Sequence, residues 1–273
     1  MTVLSSFLLL FFVLWLLFVP VGPLLQRALA VLGKRTASFR YRDYMPVIVV
    51  LAFGTFGTLF VADQFLDLAE LVRGESEVLK RVDSDVHSWA RDQRSSSSTL
   101  FFVAFTQLGS PVGLGIIVLI VAGILAVRGR YRWAGYLLFT TTVGALIIVQ
   151  LKVFFSRARP DLAAAIRSAH GFSFPSGHAM GTTIVFGALA YLILRSQQPW
   201  KWRAAGLSAA TCVIVAVSLS RVYLGVHWIS DIGAGISAGL LWVLVTTVAY
   251  ESFRRIRMIR AVRKRAGEQP TLP

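Results

Sequence analysis

Long apolar stretches dominate the chain and alternate with short polar ones. Seven runs, at about residues 3–25, 44–64, 101–126, 131–152, 178–195, 205–222 and 229–250, approach the roughly 20 residues that a spanning helix needs. Glycines inside them, such as Gly54, Gly57 and Gly109, are compatible with spanning helices. The fifth and sixth runs are the shortest, and both have polar ends. The pattern predicts an all-α, polytopic transmembrane bundle without internal repeats. Ser95–Ser98 reads as the N-cap of the helix that follows. The charged stretch 65–98 reads as a loop with room for an amphipathic helix around Val82–Trp89, lying on the membrane surface. His87 in that loop reads as a solvated residue.

Composition agrees with the pattern. Hydrophobic residues make up 56% of the 273 and charged ones 15%, more apolar surface than a soluble domain can hide. The lone cysteine, Cys212, sits in an apolar run, so no intramolecular disulfide forms.

The net charge of +15 is informative through its distribution. Residues 26–43 hold Arg27, Lys34, Arg35, Arg40 and Arg42 against Asp43. The links near 127–132 and 195–204 are basic, and Arg254–Arg265 carries seven basic residues. If all seven runs span, these pieces share one side, while Asp63–Arg94, with eight acidic residues against five basic, lies on the other. The positive-inside rule makes the first side cytoplasmic and places both the N-terminus and the ends that bear the polar clusters outside. The localisation expected is thus the plasma (inner) membrane, multi-pass, with a cytoplasmic C-terminus. The basic tail anchors topology, with anionic headgroups as an added contact. Nucleic acid is not expected as a partner. The first run lacks a basic leading region and a clear small-residue cleavage site, so a retained helix is expected rather than a signal peptide.

Three polar clusters then converge on the outer face: Lys152–Pro160 (KVFFSRARP), Pro175–His178 (PSGH) and Ser220–Asp231 (SRVYLGVHWISD). Lys152 and Arg159, seven residues apart, would share a face if the helix continued, with Pro160 stopping it and Arg157 off that face, free for a headgroup. PSGH opens an apolar helix, whose first N–H groups form an anion site. There Ser176 donates to a phosphate oxygen, Gly177 allows close backbone approach, and His178 follows in the first turn. FPSGHA lacks the G-x-S-x-G pattern of a serine nucleophile. His227 and Asp231, spaced i, i+4, let the carboxylate fix the imidazole tautomer and leave a ring nitrogen as base or nucleophile. Arg221 adds a planar fork for phosphate oxygens.

His178, His227 and Asp231 are residue types that zinc accepts. Lys152, Arg159 and Arg221 in the same place would repel a divalent cation and neutralise phosphate themselves, so no metal or other cofactor is expected. His170 reads as an exposed bystander. A cationic, imidazole-bearing pocket at a membrane edge suits the phosphate of an amphiphile.

Read in order, K-x6-RP, PSGH and SR-x5-H-x3-D resemble the motifs of the type 2 phosphatidic acid phosphatase superfamily, over roughly residues 99–250. The resemblance implies a six-helix core, to which the run at 3–25 is an addition. It divides the chain into 1–43, an N-terminal helix and basic loop; 44–98, a helix and outward loop; 99–252, the catalytic core; and 253–273, a basic tail. It also implies roles. His227 attacks phosphorus to form a phosphohistidine, Asp231 orients it, and His178 protonates the leaving oxygen and then activates water. Lys152, Arg159, Ser176, the Gly177 amide and Arg221 bind phosphate oxygens. The substrate implied is a lipid phosphate or diphosphate: phosphatidate, phosphatidylglycerol phosphate or undecaprenyl diphosphate. The competing readings are a phosphotransferase using the same site, a vanadate-dependent peroxidase, and a non-catalytic phospholipid-binding or transport protein. Oligomeric state is not legible.

Overall fold

Serines and prolines at the ends of apolar runs decide where the helices begin. The computed structural model describes residues 3–18, 45–161 and 165–265. These form nine helices: α1 (Val3–Phe18), α2 (Met45–Arg73), α3 (Glu77–Asp92), α4 (Ser96–Leu108), α5 (Pro111–Val127), α6 (Tyr131–Phe155), α7 (Gly177–Leu194), α8 (Trp200–Tyr223) and α9 (Ile229–Arg265). Ser95 and Ser98 form the capping box of α4, each hydroxyl accepting from the other's backbone N–H at 3.3 and 3.2 Å. The Tyr223 hydroxyl, 2.8 Å from Ser98 Oγ, ties this cap to the end of α8.

Among the described residues, α6, α7, α8 and α9 are long and apolar enough to cross a membrane, and the pair α4–α5 makes a fifth candidate. The expected continuous run 101–126 is therefore corrected: it bends by 52° between Leu108 and Pro111. Ser110 accounts for the break, because its hydroxyl accepts from Gly113 N at 3.0 Å while donating to Gln107 O at 2.7 Å. Pro111 has no N–H with which to continue the α4 ladder.

The charged stretch 65–98 is also corrected, since it is mostly helix. The run expected to end near residue 64 continues in α2 to Arg73, and α3 is amphipathic as its pattern suggests. Its inner face buries Asp83 and Ala90, while Val78, Val82 and Trp89 are exposed. Likewise α9 does not stop near 250 but carries the basic stretch as helix to Arg265. The expected first span is described only as far as Phe18, and the basic loop 26–43 lies outside the described residues.

The longest helix, α9, packs on α2 and α7; α7 also meets α6 and α8, α6 meets α5, and α8 is flanked by α4 and α1. Trp15 of α1 donates to Lys201 O at 3.0 Å at the start of α8. Close approach of α9 to α7 depends on one stripe. Asp231, Gly235 and Gly239 repeat every four residues on a single face. A Cβ at Gly235 would stand 2.8 Å from Ser176 O, and one at Gly239 2.8 Å from Thr183 Cβ. Small residues here let two backbones nearly touch. The Ser176 N–H consequently donates to Asp231 O at 3.0 Å, and the PSGH turn is bolted to the helix that bears the carboxylate. Phe174, Met180, Ile184 and Ala234 fill the apolar layer beneath.

Candidate active site

The polar clusters meet where α6 and α8 end and α7 and α9 begin. Chain direction therefore supplies two helix N-termini and two basic helix ends to one place.

Between α8 and α9 the chain turns through Gly225, whose φ of +80° favours glycine, and presents His227 just ahead of α9. The i, i+4 spacing of His227 and Asp231 predicts that both lie on a helix; only Asp231 is on one, yet the pair forms. His227 Nδ1 lies 3.1 Å from Asp231 Oδ2, which also accepts the Trp228 N–H at 3.0 Å. Both residues are buried. With Nδ1–H donated to the carboxylate, Nε2 keeps its lone pair. Burial pushes the imidazole down to about 4, against the opposing pull of Asp231, so the ring is neutral at pH 7.

Asp231 is held from its other side as well, by a residue that the spacing argument assigned elsewhere. Arg157 was expected to face headgroups. Instead its Nη1 donates to Asp231 Oδ1 and to Ser230 Oγ, both at 2.7 Å, and its Nη2 to Asp83 Oδ2 at 2.7 Å. Asp83, buried on α3, also accepts from Ser230 N at 3.0 Å and Ser230 Oγ at 2.6 Å. The carboxylate of α9 is thus locked to a surface helix more than 140 positions away. Sequence reasoning missed Asp83; its one usable signal was an acid on the inward face of an amphipathic helix. His87, also on α3, is half-buried with its ring centred 5.5 Å from that of Trp228, not solvated as its setting suggested.

The basic groups are tied to neutral acceptors. Lys152 Nζ donates to Phe172 O at 2.7 Å. Arg159 Nε donates to Gly171 O at 2.9 Å and its Nη2 to His170 O and Phe172 O at 3.1 and 3.2 Å. Its Nη1 reaches Val226 O at 2.7 Å and His227 Nε2 at 3.1 Å. Lys152 and Arg159 do not share a helix face, because Ser156, at φ 47°, ends α6 before Arg159; the loop, not the helix, delivers it. That loop is pinned to the one before α7 through Ser173, whose N–H donates to Arg157 O and whose hydroxyl donates to Ala158 O. Arg221 is buried in the last turn of α8, where its Nη1 donates to Thr106 Oγ1 at 2.8 Å and its Nε has no partner among the described residues.

His178 sits half-buried in the first turn of α7, in electrostatic range of Arg221, His227, Lys152 and Arg159. The bend between α4 and α5 backs this turn: a Cβ at Gly109 would stand 3.4 Å from His178 Cδ2. Ser176 is fully buried as the N-cap of α7, its Oγ 3.5 Å from Ala179 N. Gly177 faces the Lys152 stem, which a Cβ there would meet at 3.4 Å. His170 contributes its backbone carbonyl to Arg159. Among the described residues no three His, Cys, Asp or Glu side chains gather as metal ligands do. The arrangement offers a neutral imidazole with an oriented lone pair, a second imidazole at a helix N-terminus, and cations with no carboxylate to spend themselves on.

The chain was compared with known proteins. The family model described as PAP2 superfamily matches residues 133–255. Phosphatidylglycerophosphatase B of Bacillus subtilis is 36% identical over 156 residues, covering 56% of this chain and 75% of that protein. Decaprenylphosphoryl-5-phosphoribose phosphatase of Mycobacterium tuberculosis is 34% identical, over 46% of this chain and 66% of that one. Lipid A 1-phosphatase of Rhizobium johnstonii is 33% identical, over 43% and 48%. Among solved structures, the transmembrane PAP2 type phosphatidylglycerolphosphate phosphatase from Bacillus subtilis superposes with a TM-score of 0.64 at 28% identity, over 70% of this chain and 94% of that one.

Proposed function

This chain belongs to the PAP2 superfamily of membrane lipid phosphatases, and from that premise we propose that it hydrolyses a lipid phosphate on the outer membrane face through a phosphohistidine at His227. The observation that carries the reading is the orientation of His227: Nδ1–H on Asp231, Nε2 turned toward the guanidinium of Arg159.

The steps follow from that orientation. Phosphate oxygens replace the carbonyls and the ring nitrogen as partners of Lys152 and Arg159 and the Thr106 hydroxyl as partner of Arg221, and the Gly177 amide at the start of α7 adds a donor. Ser176 supports this cradle as the cap of the same helix. His227 Nε2 forms the N–P bond as the P–O bond to the lipid breaks, and His178 gives its proton to the departing oxygen. Positive charge arising on the His227 ring is met by Asp231, which Arg157 and the Trp228 amide hold still. His178 then takes a proton from water, whose oxygen attacks phosphorus; the N–P bond breaks and inorganic phosphate leaves. Cations already gathered on the phosphate when the bond breaks lower the barrier for both steps.

For topology, the reading takes α1 and α2 as further membrane segments around the core, the basic links and tail as cytoplasmic, and α3 as lying on the outer surface with Val78, Val82 and Trp89 toward lipid. For substrate it takes phosphatidylglycerol phosphate first, supported by the relative with that activity of which this chain covers 75%. Phosphatidate and undecaprenyl diphosphate are the next candidates.

The test is phosphate release by purified protein across that lipid panel, with EDTA present. Wild type releases phosphate, and His227→Ala lowers the rate by about 10⁴-fold or more. A folded His227→Ala protein with near-normal turnover overturns the assignment. Labelled phosphate appearing on an acceptor lipid instead of in solution converts hydrolysis to transfer.

A further inference from the structure

At the end of the bundle away from the catalytic groups, α6 and α9 diverge and leave a groove of about 570 Å³. Its lining combines Tyr136 and Phe139 of α6 with Trp242, Val245 and Phe253 of α9. Phe139, Val245 and Phe253 are 57%, 40% and 60% exposed, so the groove opens sideways. Gly135 keeps one wall low, with nothing within 4 Å of where a Cβ would stand.

The polar atoms of Tyr136 and Trp242 are already used. The Tyr136 hydroxyl lies 2.7 Å from Thr247 Oγ1, and Trp242 Nε1 donates to Thr140 O at 2.7 Å. What faces the groove is apolar, which selects hydrocarbon over a polar ligand.

The mouth is different. Arg132, Arg254 and Arg257 stand there. Glu251, which faces this end, is consumed: it accepts from Arg254 at 2.6 and 2.9 Å, from Arg255 at 3.0 Å and from the Tyr191 hydroxyl at 3.0 Å. Arg257 rests its guanidinium 5.4 Å from the centre of the Phe253 ring, an arrangement that leaves its charge unneutralised. Arg132 and Arg257 form no ion pair among the described residues.

We propose that this groove is a binding site for a phospholipid with an anionic headgroup, its acyl chain along Phe139, Trp242 and Val245 and its phosphate at Arg132 and Arg257. Dimensions fit. From Trp242 to Arg257 α9 rises about 22 Å, enough for the acyl half and headgroup level of one leaflet. Arg132 and Lys152 are separated along α6 by about 30 Å, the hydrocarbon thickness, so the occupant sits in the leaflet opposite the catalytic pocket and is not its substrate. The site stands whether or not the chemistry proposed above is right.

The experiment uses the full chain in detergent, titrated with phosphatidylserine or phosphatidylcholine of identical acyl chains; neither is a phosphate monoester. Bound lipid is counted by native mass spectrometry, and the thermal midpoint is followed in parallel. Phosphatidylserine binds saturably and raises the midpoint, and phosphatidylcholine does so at least tenfold more weakly. The double variant Arg132→Gln/Arg257→Gln weakens phosphatidylserine about thirtyfold, at ~1 kcal/mol for each arginine near an anionic surface. Gly135→Leu fills the open wall and lowers occupancy by both lipids. Each variant keeps its turnover of a short-chain substrate within about twofold, which confirms folding. Equal affinity for the two lipids, or a folded double variant that keeps the preference for phosphatidylserine, overturns the proposal.

Discussion

Two buried carboxylates on α9 sit at opposite ends of the bundle, and their surroundings differ in kind. Glu251 receives two bonds from Arg254, one from Arg255 and one from Tyr191. Its charge is fully spent on these donors. Asp231 is held as firmly, by Arg157, the Trp228 amide and His227. Yet the cations around it, Lys152, Arg159 and Arg221, donate to carbonyls, a hydroxyl and an imidazole. Holding a cation with neutral acceptors fixes its place without cancelling its charge. Saturation makes a structural knot, and its absence leaves cations with charge to offer an anion, as the proposed chemistry requires.

Changing each end in turn tests that contrast, the largest effect first. Asp231→Asn keeps the shape but removes the charge that fixes the His227 tautomer, and kcat for phosphate release falls about 10³–10⁴-fold. A change below tenfold would show that the carboxylate does not orient the ring. Next, Arg157→Ala and Asp83→Asn, which touch no reacting atom, lower kcat by about 10–100-fold with KM within twofold. The split is read from steady-state kinetics, and a rise in KM alone would place Arg157 on the substrate instead.

At the other end, Glu251→Gln removes the charge and one of the two accepting oxygens, stranding two of the four donated bonds, and costs roughly 2 kcal/mol, seen as a thermal midpoint several degrees lower. Turnover at permissive temperature stays within about twofold; a tenfold loss would join the two ends functionally. The smallest effect is on pH. In the proposed chemistry a neutral imidazole is the reactive form, and burial holds His227 down at about 4. The acid limb of kcat/KM therefore lies below the 6.5 of an ordinary imidazole, with activity lost as pH falls toward 4. A limb at or above 6.5 assigned to this residue contradicts its burial.

Much of this contrast was legible in the chain, for identifiable reasons. Apolar runs long enough to cross a bilayer need no tertiary information, so α6 to α9 could be located to within a few residues or a turn, apart from the long tail of α9. The pairing of His227 with Asp231 was legible because spacing limits where a carboxylate can reach, even though His227 stands ahead of the helix. Arg157 was misjudged because helical phase was carried past Phe155, where Ser156 takes a left-handed conformation and the phase is lost. Asp83 was invisible because its partners, Arg157 and Ser230, come from two distant segments. The bend before α5 was signalled by Ser110-Pro111, but hydropathy alone ran straight through it.

The contact between Arg159 Nη1 and His227 Nε2 has one more consequence. In the resting protein the lone pair that the proposed chemistry requires is covered by a guanidinium. Reactive carbonyls or alkylating agents that enter the pocket find that nitrogen already occupied. In the proposed chemistry phosphate oxygens draw Arg159 to themselves and uncover it. On that reading, the anion that exposes the nucleophile is also the group it attacks.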